Sequence, residues 1–516
     1  MSCLLPVQGM TTQPDKKLRP TTEGTTDWWP MYHHDIQHTG YSSSTAPFTN
    51  TLQWHFPTGD YVLSSPIIVE NRLYIGSDNG NVYCINTENG SEIWRYHTAQ
   101  AVESTPAYSG EKIYVGSSDQ YLYCLDALGN SHGSTNQLWR FHTGGRIEGS
   151  PAVVDDRIYF GSWDGKFYCL STTKGIEQWN FTCRGAVDAS PAVANKRVYI
   201  ASFSSYPGEG GVIHCLFADN GTEEWNYTAG YWIACSPTVV DDRLYIGSYD
   251  NNIYCFDATP FEDGIDEGIP DPIGAPYDRL WIRETDGWVI SSPAVYQGLV
   301  YIGAIGEWGE QPDPWGMIYC LNATDGSIRW TFYKEDGWFV SAPAVSSDGK
   351  VFLGSDWTPG VFYCLDARTG KEIWNYTTGS WIFSSPALCN GKVYVGSSIG
   401  SVFCFYDQGI APEIEINDIT GGTHVTTQVK NTGTAAAHNV EVTLLMKGGL
   451  LGHINVSTTE RCDTLPPGES LPLSTKKLFF GLGRVSIEVT VDAAGVQLQQ
   501  QKKAGFVLGF LVMMKN

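Results

Sequence analysis

Residues 365–374 read Leu-Asp-Ala-Arg-Thr-Gly-Lys-Glu-Ile-Trp, which is a strand end, a glycine-containing turn and the start of a strand that begins with tryptophan. Residues 321–330 are very similar, and residues 85–94 are more loosely so. A Ser-Pro-like pair also recurs along the chain, every 40 to 56 residues. The pairs are Ser65-Pro66, Thr105-Pro106, Ser150-Pro151, Ser190-Pro191, Ser236-Pro237, Ser292-Pro293, Ala342-Pro343 and Ser385-Pro386. Each period has room for four short strands, which is the pattern of a β-propeller blade.

The strands that begin with tryptophan are offset by one against the Ser-Pro-like pairs. They start at Trp54, Trp94, Trp139, Trp179, Trp225, Trp281, Trp330 and Trp374. The first precedes the first pair and none follows the last pair, so the blade that begins at Ser385 has only three strands of its own. The sequence therefore predicts an all-β, eight-bladed propeller in which residues 52–56 supply the fourth strand of the last blade and close the ring.

The repeat of residues 51–406 resembles the repeat of pyrroloquinoline-quinone (PQQ) enzymes. Residues 29–40, which read WPMYHHDIQHTG, resemble the leader of secreted prokaryotic proteins with this propeller. The resemblance implies one of two relationships. One is with quinoprotein dehydrogenases, and the other is with the propeller lipoprotein of the outer-membrane β-barrel assembly machinery.

The features expected of a quinoprotein dehydrogenase are missing from the sequence. The family typically carries a disulfide between two adjacent cysteines over the cofactor, and this chain has no Cys-Cys pair. The calcium ligands and the catalytic aspartate that the resemblance implies find no matching positions. We therefore predict a non-catalytic binding scaffold with no cofactor. The alternative is a PQQ-dependent oxidoreductase that holds PQQ and calcium in the central funnel.

The cysteines and histidines predict no metal site. Eight cysteines share one repeat position and are expected to be buried between blades, too far apart to form disulfides. They are Cys84, Cys124, Cys169, Cys215, Cys255, Cys320, Cys364 and Cys404. The spacing of His33, His34 and His38 could suit a metal site, but these residues lie in the leader that recurs with this fold. The acidic insertion 257–279 does not match the spacing of a calcium-binding EF-hand loop.

Charge and sorting signals favour an exported protein. The formal charge of −23 lies entirely before Ala411, because the remainder has equal numbers of acidic and basic residues. Such a surface repels nucleic acid. No run approaches the roughly 20 apolar residues of a spanning helix. Glycosylation sequons at Asn89, Asn180, Asn220, Asn226, Asn322, Asn375 and Asn455 favour an extracellular or cell-surface location in a prokaryote. Residues 1–27, predicted to be a disordered leader or a signal remnant, contain no intact signal peptide.

A second domain follows the propeller, which is predicted to occupy residues 28–408. Residues 411–503 contain alternating strands such as 440–444 and no tryptophan, and they resemble the immunoglobulin-like adhesion modules of prokaryotic surface proteins. The apolar tail, residues 504–516, is predicted to be the last strand of that sandwich, with a short anchor as the alternative.

The segments that precede the Ser-Pro-like pairs predict a ligand site at the funnel mouth. Side chains four and two positions before the Ser share one face, because side chains alternate along a strand. This face combines acidic and aromatic groups at Tyr61, Glu103, Arg146, Glu148, Asp188, Trp232, Trp288, Trp338 and Trp381. The neighbouring loops add Trp163, Trp308, Trp315 and Trp357. Such a mouth suits a protein partner, a glycan, or a cationic or aromatic small molecule.

Overall fold

The computed structural model describes residues 27–203, 210–259, 277–306, 315–335, 337–407, 412–434, 436–450, 453–475, 481–494, 496–509 and 511–514. The described residues contain β-strands and no helix, in agreement with the all-β prediction. No helix long and apolar enough to span a membrane occurs among them. The insertion 260–276, Trp308 and most of the predicted leader lie outside the described residues.

Consecutive strands form four-stranded antiparallel sheets that are the blades of the propeller. The first blade contains β3 (Ile67–Val69), β4 (Arg72–Gly76), β5 (Asn81–Asn86) and β6 (Glu92–His97), and the second contains β7 (Ala107–Ser109), β8 (Lys112–Gly116), β9 (Tyr121–Asp126) and β10 (Gln137–His142). The third blade contains β11 (Ala152–Val154), β12 (Arg157–Gly161), β13 (Lys166–Ser171) and β14 (Glu177–Thr182). The fourth blade contains β15 (Ala192–Ala194), β16 (Arg197–Ser202), β17 (Val212–Phe217) and β18 (Glu223–Thr228). The two middle strands of a blade are almost wholly buried, as expected for a sheet covered on both faces.

The remaining blades follow the same pattern, with additions from the N-terminal segment. The fifth blade contains β19 (Thr238–Val240), β20 (Arg243–Gly247), β21 (Asn252–Asp257) and β22 (Arg279–Glu284), and the sixth contains β23 (Trp288–Val289), β24 (Ala294–Tyr296), β25 (Leu299–Ile305), β26 (Gly316–Asn322) and β27 (Ile328–Lys334). The seventh blade contains β28 (Ala344–Ser346), β29 (Lys350–Gly354), β30 (Val361–Asp366) and β31 (Glu372–Thr377), and β1 (Tyr41–Ser42) joins it. The last blade contains β32 (Ala387–Cys389), β33 (Lys392–Ser397) and β34 (Ser401–Tyr406), and β2 (Leu52–Pro57) joins it.

The ring closes through β2, which pairs antiparallel with β34 and places Trp54 opposite Cys404. Both chain ends of the propeller therefore meet in one sheet, so unfolding of the last blade requires separation of sequence-distant segments. The eight repeat cysteines are buried and unpaired, as the sequence predicts.

A tryptophan packed against a turn glycine joins neighbouring blades at six junctions, where the tryptophans are Trp54, Trp94, Trp139, Trp179, Trp281 and Trp330. The indole of Trp330 packs beneath the turn that contains Gly370, and its Nε1 donates a hydrogen bond of 3.0 Å to the Ala367 carbonyl. Equivalent bonds join Trp94 to Ala127 and Trp281 to Ala323. Trp54, Trp94, Trp225, Trp281 and Trp374 are buried, whereas Trp139, Trp179 and Trp330 are partly exposed.

Substitution of the turn glycine should be much more damaging than substitution of a glycine elsewhere. Gly370 and Gly349 both have positive φ, so each Ala variant should lose about 1–2 kcal/mol from backbone strain. A Cβ on Gly370 would lie 2.4 Å from the Trp330 ring, whereas one on Gly349 meets nothing within 4 Å. We expect Gly370→Ala to lose about 1–3 kcal/mol more than Gly349→Ala in chemical denaturation. Equal losses would contradict this packing.

The segment of residues 29–44 forms a strap that runs across the inner ends of the blades and plugs one end of the channel. Its backbone hydrogen-bonds to one inner strand after another. The pairs are Trp29 with Ile68, Pro30 with Tyr108, Ile36 with Val193, Gln37 with Val239, Thr39 with Val295 and Gly40 with Val345. His33 Nε2 and His38 Nδ1 form hydrogen bonds with the carbonyl oxygens of Pro343 and Pro237, so both histidines attach the strap to the blades.

His34 is the charged centre of the strap. It contacts Asp27 at 3.1 Å and Asp35 at 3.2 Å, and its side chain is 15% exposed. Burial alone would lower the pKa of His34, but the hydrogen bonds and charges of the two aspartates outweigh it and raise that pKa to about 9. Burial of the aspartates is likewise outweighed by their bonds to His34, and the pKa of each falls to about 2.

This ion-pair cluster should make stability depend on pH. Because the folded pKa of His34 lies above its unfolded value, the contribution is complete below about pH 6.5 and is lost as the pH rises through 9. We expect His34→Gln to lose roughly 2 kcal/mol of unfolding free energy at pH 6 and to approach the parent near pH 9.5. The exposed His132→Gln is the control. A His34→Gln deficit that stays constant from pH 6 to 9.5 would contradict the assignment.

The C-terminal domain consists of two sheets around a common apolar core. Its strands are β35 (Ile414–Ile416), β36 (Thr426–Asn431), β37 (Ala437–Gly448), β38 (Ile454–Leu465), β39 (Ser470–Ser474), β40 (Gly481–Ala494), β41 (Val496–Gly509) and β42 (Leu511–Met514). The strand β41 continues without a break through Ala504 into the segment 504–516, which the sequence predicts to be the last strand of the sandwich. Arg368 of the propeller lies 3.4 Å from Asp492 of this domain. The immunoglobulin-like assignment stays a prediction.

Candidate functional site

The open end of the channel is built from the short segments that precede the inner strand of each blade. The residue three positions before the Ser of each pair is buried and locks its segment against the preceding blade. For example, a Cβ on Gly76 would lie 2.5 Å from the Val102 side chain. The segments are therefore fixed in register, and the positions four and two before the Ser face the mouth.

An acidic arc occupies one side of the mouth. Glu103, Glu148 and Asp188 come from three successive blades and line a polar cavity of about 190 Å³ around the channel axis. Arg146 Nε donates to Glu148 Oε1 at 2.8 Å, and the Arg146 guanidinium stacks 3.6 Å over the ring of Trp163. The structure thus brings together all four polar residues that the sequence predicts, with Trp163 beneath them.

The pKa values of the carboxyl groups of the acidic arc are raised. Burial, followed by the charges of Asp188 and Glu103, raises the pKa of Glu148 to about 8. Burial and then the charge of Asp188 raise the pKa of Glu103. Burial also raises the pKa of Asp188, against a hydrogen bond with Trp163 and the charge of Arg146. A bound cation would relieve this repulsion.

An aromatic arc faces the acidic one. Trp232, Trp288 and Trp338 line an apolar cavity of about 450 Å³. The predicted residues Tyr61 and Trp381 have side chains that are 48% and 40% exposed, and they are not among the residues that line this cavity. The Trp381 indole instead donates a hydrogen bond to Thr358 Oγ1 at 3.1 Å.

The loop tryptophans have separate roles. Trp357 lies against Trp338, with their ring centroids 5.2 Å apart. Trp315 is buried beside Tyr333 and next to Gly306. Neither Trp315 nor Trp357 is among the residues that line the aromatic cavity.

Three residues at the mouth are missing from the site that the sequence predicts. Asp78, Tyr249 and Asp356 each follow a Gly-Ser dipeptide at the end of the second strand of a blade. Tyr249 and Asp356 line the aromatic cavity. Burial raises the pKa of Asp356 to about 7, and burial with the charges of Glu103 and Asp60 raises that of Asp78 to about 7. The third position of Gly-Ser-x is a repeat position, and alignment of the blades on it would have found these residues.

A ring of hydroxyl groups encircles the channel below the two arcs. In the Ser-Pro-like pairs, the backbone N–H groups of Ser65, Thr105, Ser150, Ser190, Ser236 and Ser385 donate to the hydroxyl of the next blade at 2.9–3.0 Å. The ring is interrupted where Ala342 lacks a hydroxyl beside Ser292. Ala342 N still donates to Ser385 Oγ at 3.1 Å. Tyr32 of the strap forms the floor and donates to Ser292 Oγ at 3.0 Å.

The described residues hold no three His, Cys, Asp or Glu side chains that already form a metal site. The carboxylates of the acidic arc are therefore a donor set with the right chemistry for a hard cation, but without a preformed ligand cage.

The comparison with protein families now identifies the repeat. The family model described as "Outer membrane protein assembly factor BamB", built on a PQQ-type repeat, matches residues 43–132, 130–208 and 314–413, together just over half of the chain. The chain belongs to this family. The outer membrane named for this family agrees with the sequence prediction that the protein is exported.

Two curated relatives match parts of this BamB-type propeller. The 1-butanol dehydrogenase (cytochrome c) of Thauera butanivorans is 29% identical over 129 residues, which are 22% of this chain and 17% of the relative. The quinoprotein alcohol dehydrogenase PedE of Pseudomonas putida is 32% identical over 87 residues, 16% of this chain and 13% of the relative. The chain thus spans less than a fifth of the length of these relatives.

Solved structures confirm the propeller fold. A europium-containing methanol dehydrogenase matches with a TM-score of 0.59 at 16% identity, over 72% of this chain and 91% of that chain. BamB from Moraxella catarrhalis matches with a TM-score of 0.54 at 18% identity, over 70% and 98% of the two chains.

These relatives correct the prediction of a non-catalytic binding scaffold. That prediction, with its expectations of no enzymatic activity and no cofactor, is contradicted by matches to several quinoprotein and quinohemoprotein alcohol dehydrogenases. The missing Cys-Cys pair and calcium ligands favoured a non-catalytic protein, whereas the repeat itself is shared with the dehydrogenases.

The hydroxyl ring generates a stability prediction. Ala342→Ser should supply the missing acceptor to the Ser292 N–H and stabilise the fold by about 0.5–1.5 kcal/mol. Ser190→Ala should remove one link of the ring and cost about 1–3 kcal/mol, because the Ser150 N–H loses its acceptor. Thermal unfolding of the two variants checks both signs. A destabilised Ala342→Ser variant would show that the gap is required by packing.

Proposed function

We propose that this protein is an exported, PQQ-dependent oxidoreductase that oxidises an alcohol at the funnel mouth. The observation that carries the proposal is the pair of adjoining cavities described above, one acidic and one aromatic, in a propeller whose curated relatives are quinoprotein alcohol dehydrogenases. The cavities share Ile290, Val340 and Phe383, so a molecule in one cavity contacts a molecule in the other.

The mouth fits the chemistry of such a cofactor. PQQ is a planar quinone that carries carboxylates and is accompanied by a metal ion. Ile290, Val340 and Phe383 offer an apolar shelf for the ring, and Arg146 offers donors for its oxygens. Glu103 and Asp188 would hold the cation, together with oxygen atoms of the cofactor itself, because the protein ligands are not arranged as a complete cage.

When bound, the quinone accepts the two electrons and two protons that an alcohol loses as it becomes a carbonyl compound. The residues of this chain position the reactants and handle the proton. Trp232, Trp288 and Trp338 exclude water from the substrate side. Glu148 has a pKa of about 8, close to the working pH of a general base, and is fixed by Arg146. We assign to Glu148 the removal of the alcohol proton.

The test separates cofactor binding from turnover. Purified protein is titrated with PQQ in the presence of Ca²⁺ or La³⁺, with tryptophan fluorescence as the binding signal and dye-linked oxidation of short alcohols as the activity. Asp188→Asn should weaken cofactor binding at least tenfold. Glu148→Gln should retain binding but lose about 10²–10⁴-fold in turnover.

The control is Glu177→Gln on the exposed outer strand β14, which should match the parent in both assays. Failure of the parent protein to bind PQQ with either metal, together with no dye reduction by any alcohol, would overturn the proposed function.

A further inference from the structure

Asp356 is a lone carboxylate in the wall of the aromatic cavity. It follows β29, and its backbone N–H donates to the Trp338 carbonyl at 2.7 Å, which fixes the loop. The residue is 7% exposed, and what remains accessible faces the cavity that it lines. The structure shows no hydrogen bond or ion pair to its side chain from the described residues.

A cation would stabilise the ionised form of this buried carboxylate. Removing a carboxylate from water without a partner is costly, and burial accordingly raises the pKa of Asp356. The cavity lining contains no Lys, Arg or His among the described residues. Arg146 is bound to Glu148 in the acidic arc. A cationic ligand in the cavity would supply the partner that Asp356 lacks among the described residues.

The walls around Asp356 suit a particular kind of cation. The rings of Trp232, Tyr249 and Trp288 stand side by side, with centroids 6.3 Å apart for the first pair and 5.3 Å for the second. Trp338 lines the same cavity. Several electron-rich ring faces around one carboxylate attract an alkylated ammonium group, which is large, weakly hydrated and positively charged. A sugar would need more hydrogen-bonding groups than Asp356 and the hydroxyls of Tyr231 and Tyr249 provide.

We propose that the aromatic cavity binds the alkylated ammonium group of an amino alcohol, so that Asp356 determines specificity for cationic substrates. The assignment of that ligand as the substrate rests on the proposed oxidoreductase function, whereas the ammonium site itself does not. The hydroxyl end of such a molecule extends past Ile290 and Val340 toward the acidic arc, since the two cavities adjoin there.

The experiment compares choline with its neutral isostere 3,3-dimethylbutan-1-ol. The two molecules have the same shape and differ in one charge. Binding to the protein without cofactor is measured by calorimetry and tryptophan fluorescence at pH 8. We expect choline to bind at least tenfold more tightly than the isostere. Asp356→Asn should abolish this preference, and Trp288→Ala should weaken choline binding at least fivefold.

Asp78→Asn is the matched control, because Asp78 occupies the same Gly-Ser-x position in the first blade but does not line the aromatic cavity. It should keep the preference for choline. Asp356→Asn is nearly isosteric and removes an unfavourable buried charge, so its fold is checked by an unfolding midpoint no lower than that of the parent.

The outcomes separate this inference from the proposed function. Choline binding that depends on Asp356, without dye-linked oxidation, supports the ammonium site and counts against the oxidoreductase. Dye-linked oxidation of neutral alcohols with no preference for choline in either assay overturns the ammonium site and leaves the oxidoreductase standing. Equal binding of choline by the parent and Asp356→Asn also overturns the inference.

Discussion

The contact on which the whole ring depends is the tryptophan of one blade packed beneath the turn glycine of the next. For example, the indole of Trp330 packs against Gly370, and its N–H donates a hydrogen bond to the backbone carbonyl of Ala367. The same contact recurs at six of the eight blade junctions, and the pairing of β2 with β34 closes the ring. Local slippage at one contact must be accommodated by the others, so the mouth segments are held at fixed positions.

This regular framework concentrates function where the repeat departs from its own pattern. The position two before the Ser is a carboxylate in three successive blades and apolar elsewhere, which divides the mouth into an acidic arc and an aromatic arc. The third residue of Gly-Ser-x varies even more, from Trp163 to Asp356. The hydroxyl ring below is interrupted only at Ala342. Repeat positions that do not affect blade packing are free to vary, and these are the ones that face a ligand.

Much of the architecture follows from the sequence, and the limits have physical causes. The spacing of Ser65-Pro66 and its equivalents reveals the blades, and the offset of Trp54 reveals the fourth strand of the last sheet. The acidic arc was found because strand alternation is strict on both sides of Glu103. The side-chain directions of Tyr61 and Trp381 do not follow from the sequence, because alternation no longer fixes direction beyond the end of a strand. Asp356 was missed because it lies at the recurring Gly-Ser-x position, outside the segments that precede the Ser-Pro-like pairs.

The electrostatics of the mouth constrain which ligands can bind and whether they need an accompanying cation. The pKa values of Asp78, Glu103, Glu148, Asp188 and Asp356 all shift upward, and burial is the first cause in each case. Only one cation, Arg146, was found among the described residues that line these two arcs. An anionic quinone entering alone would add to the repulsion, so it requires an accompanying metal ion, whereas an organic ammonium ion relieves the repulsion directly. If the proposed function holds, the same excess of acid would make cofactor binding dependent on a metal ion. By the further inference, it would also favour positively charged ligands on the aromatic side.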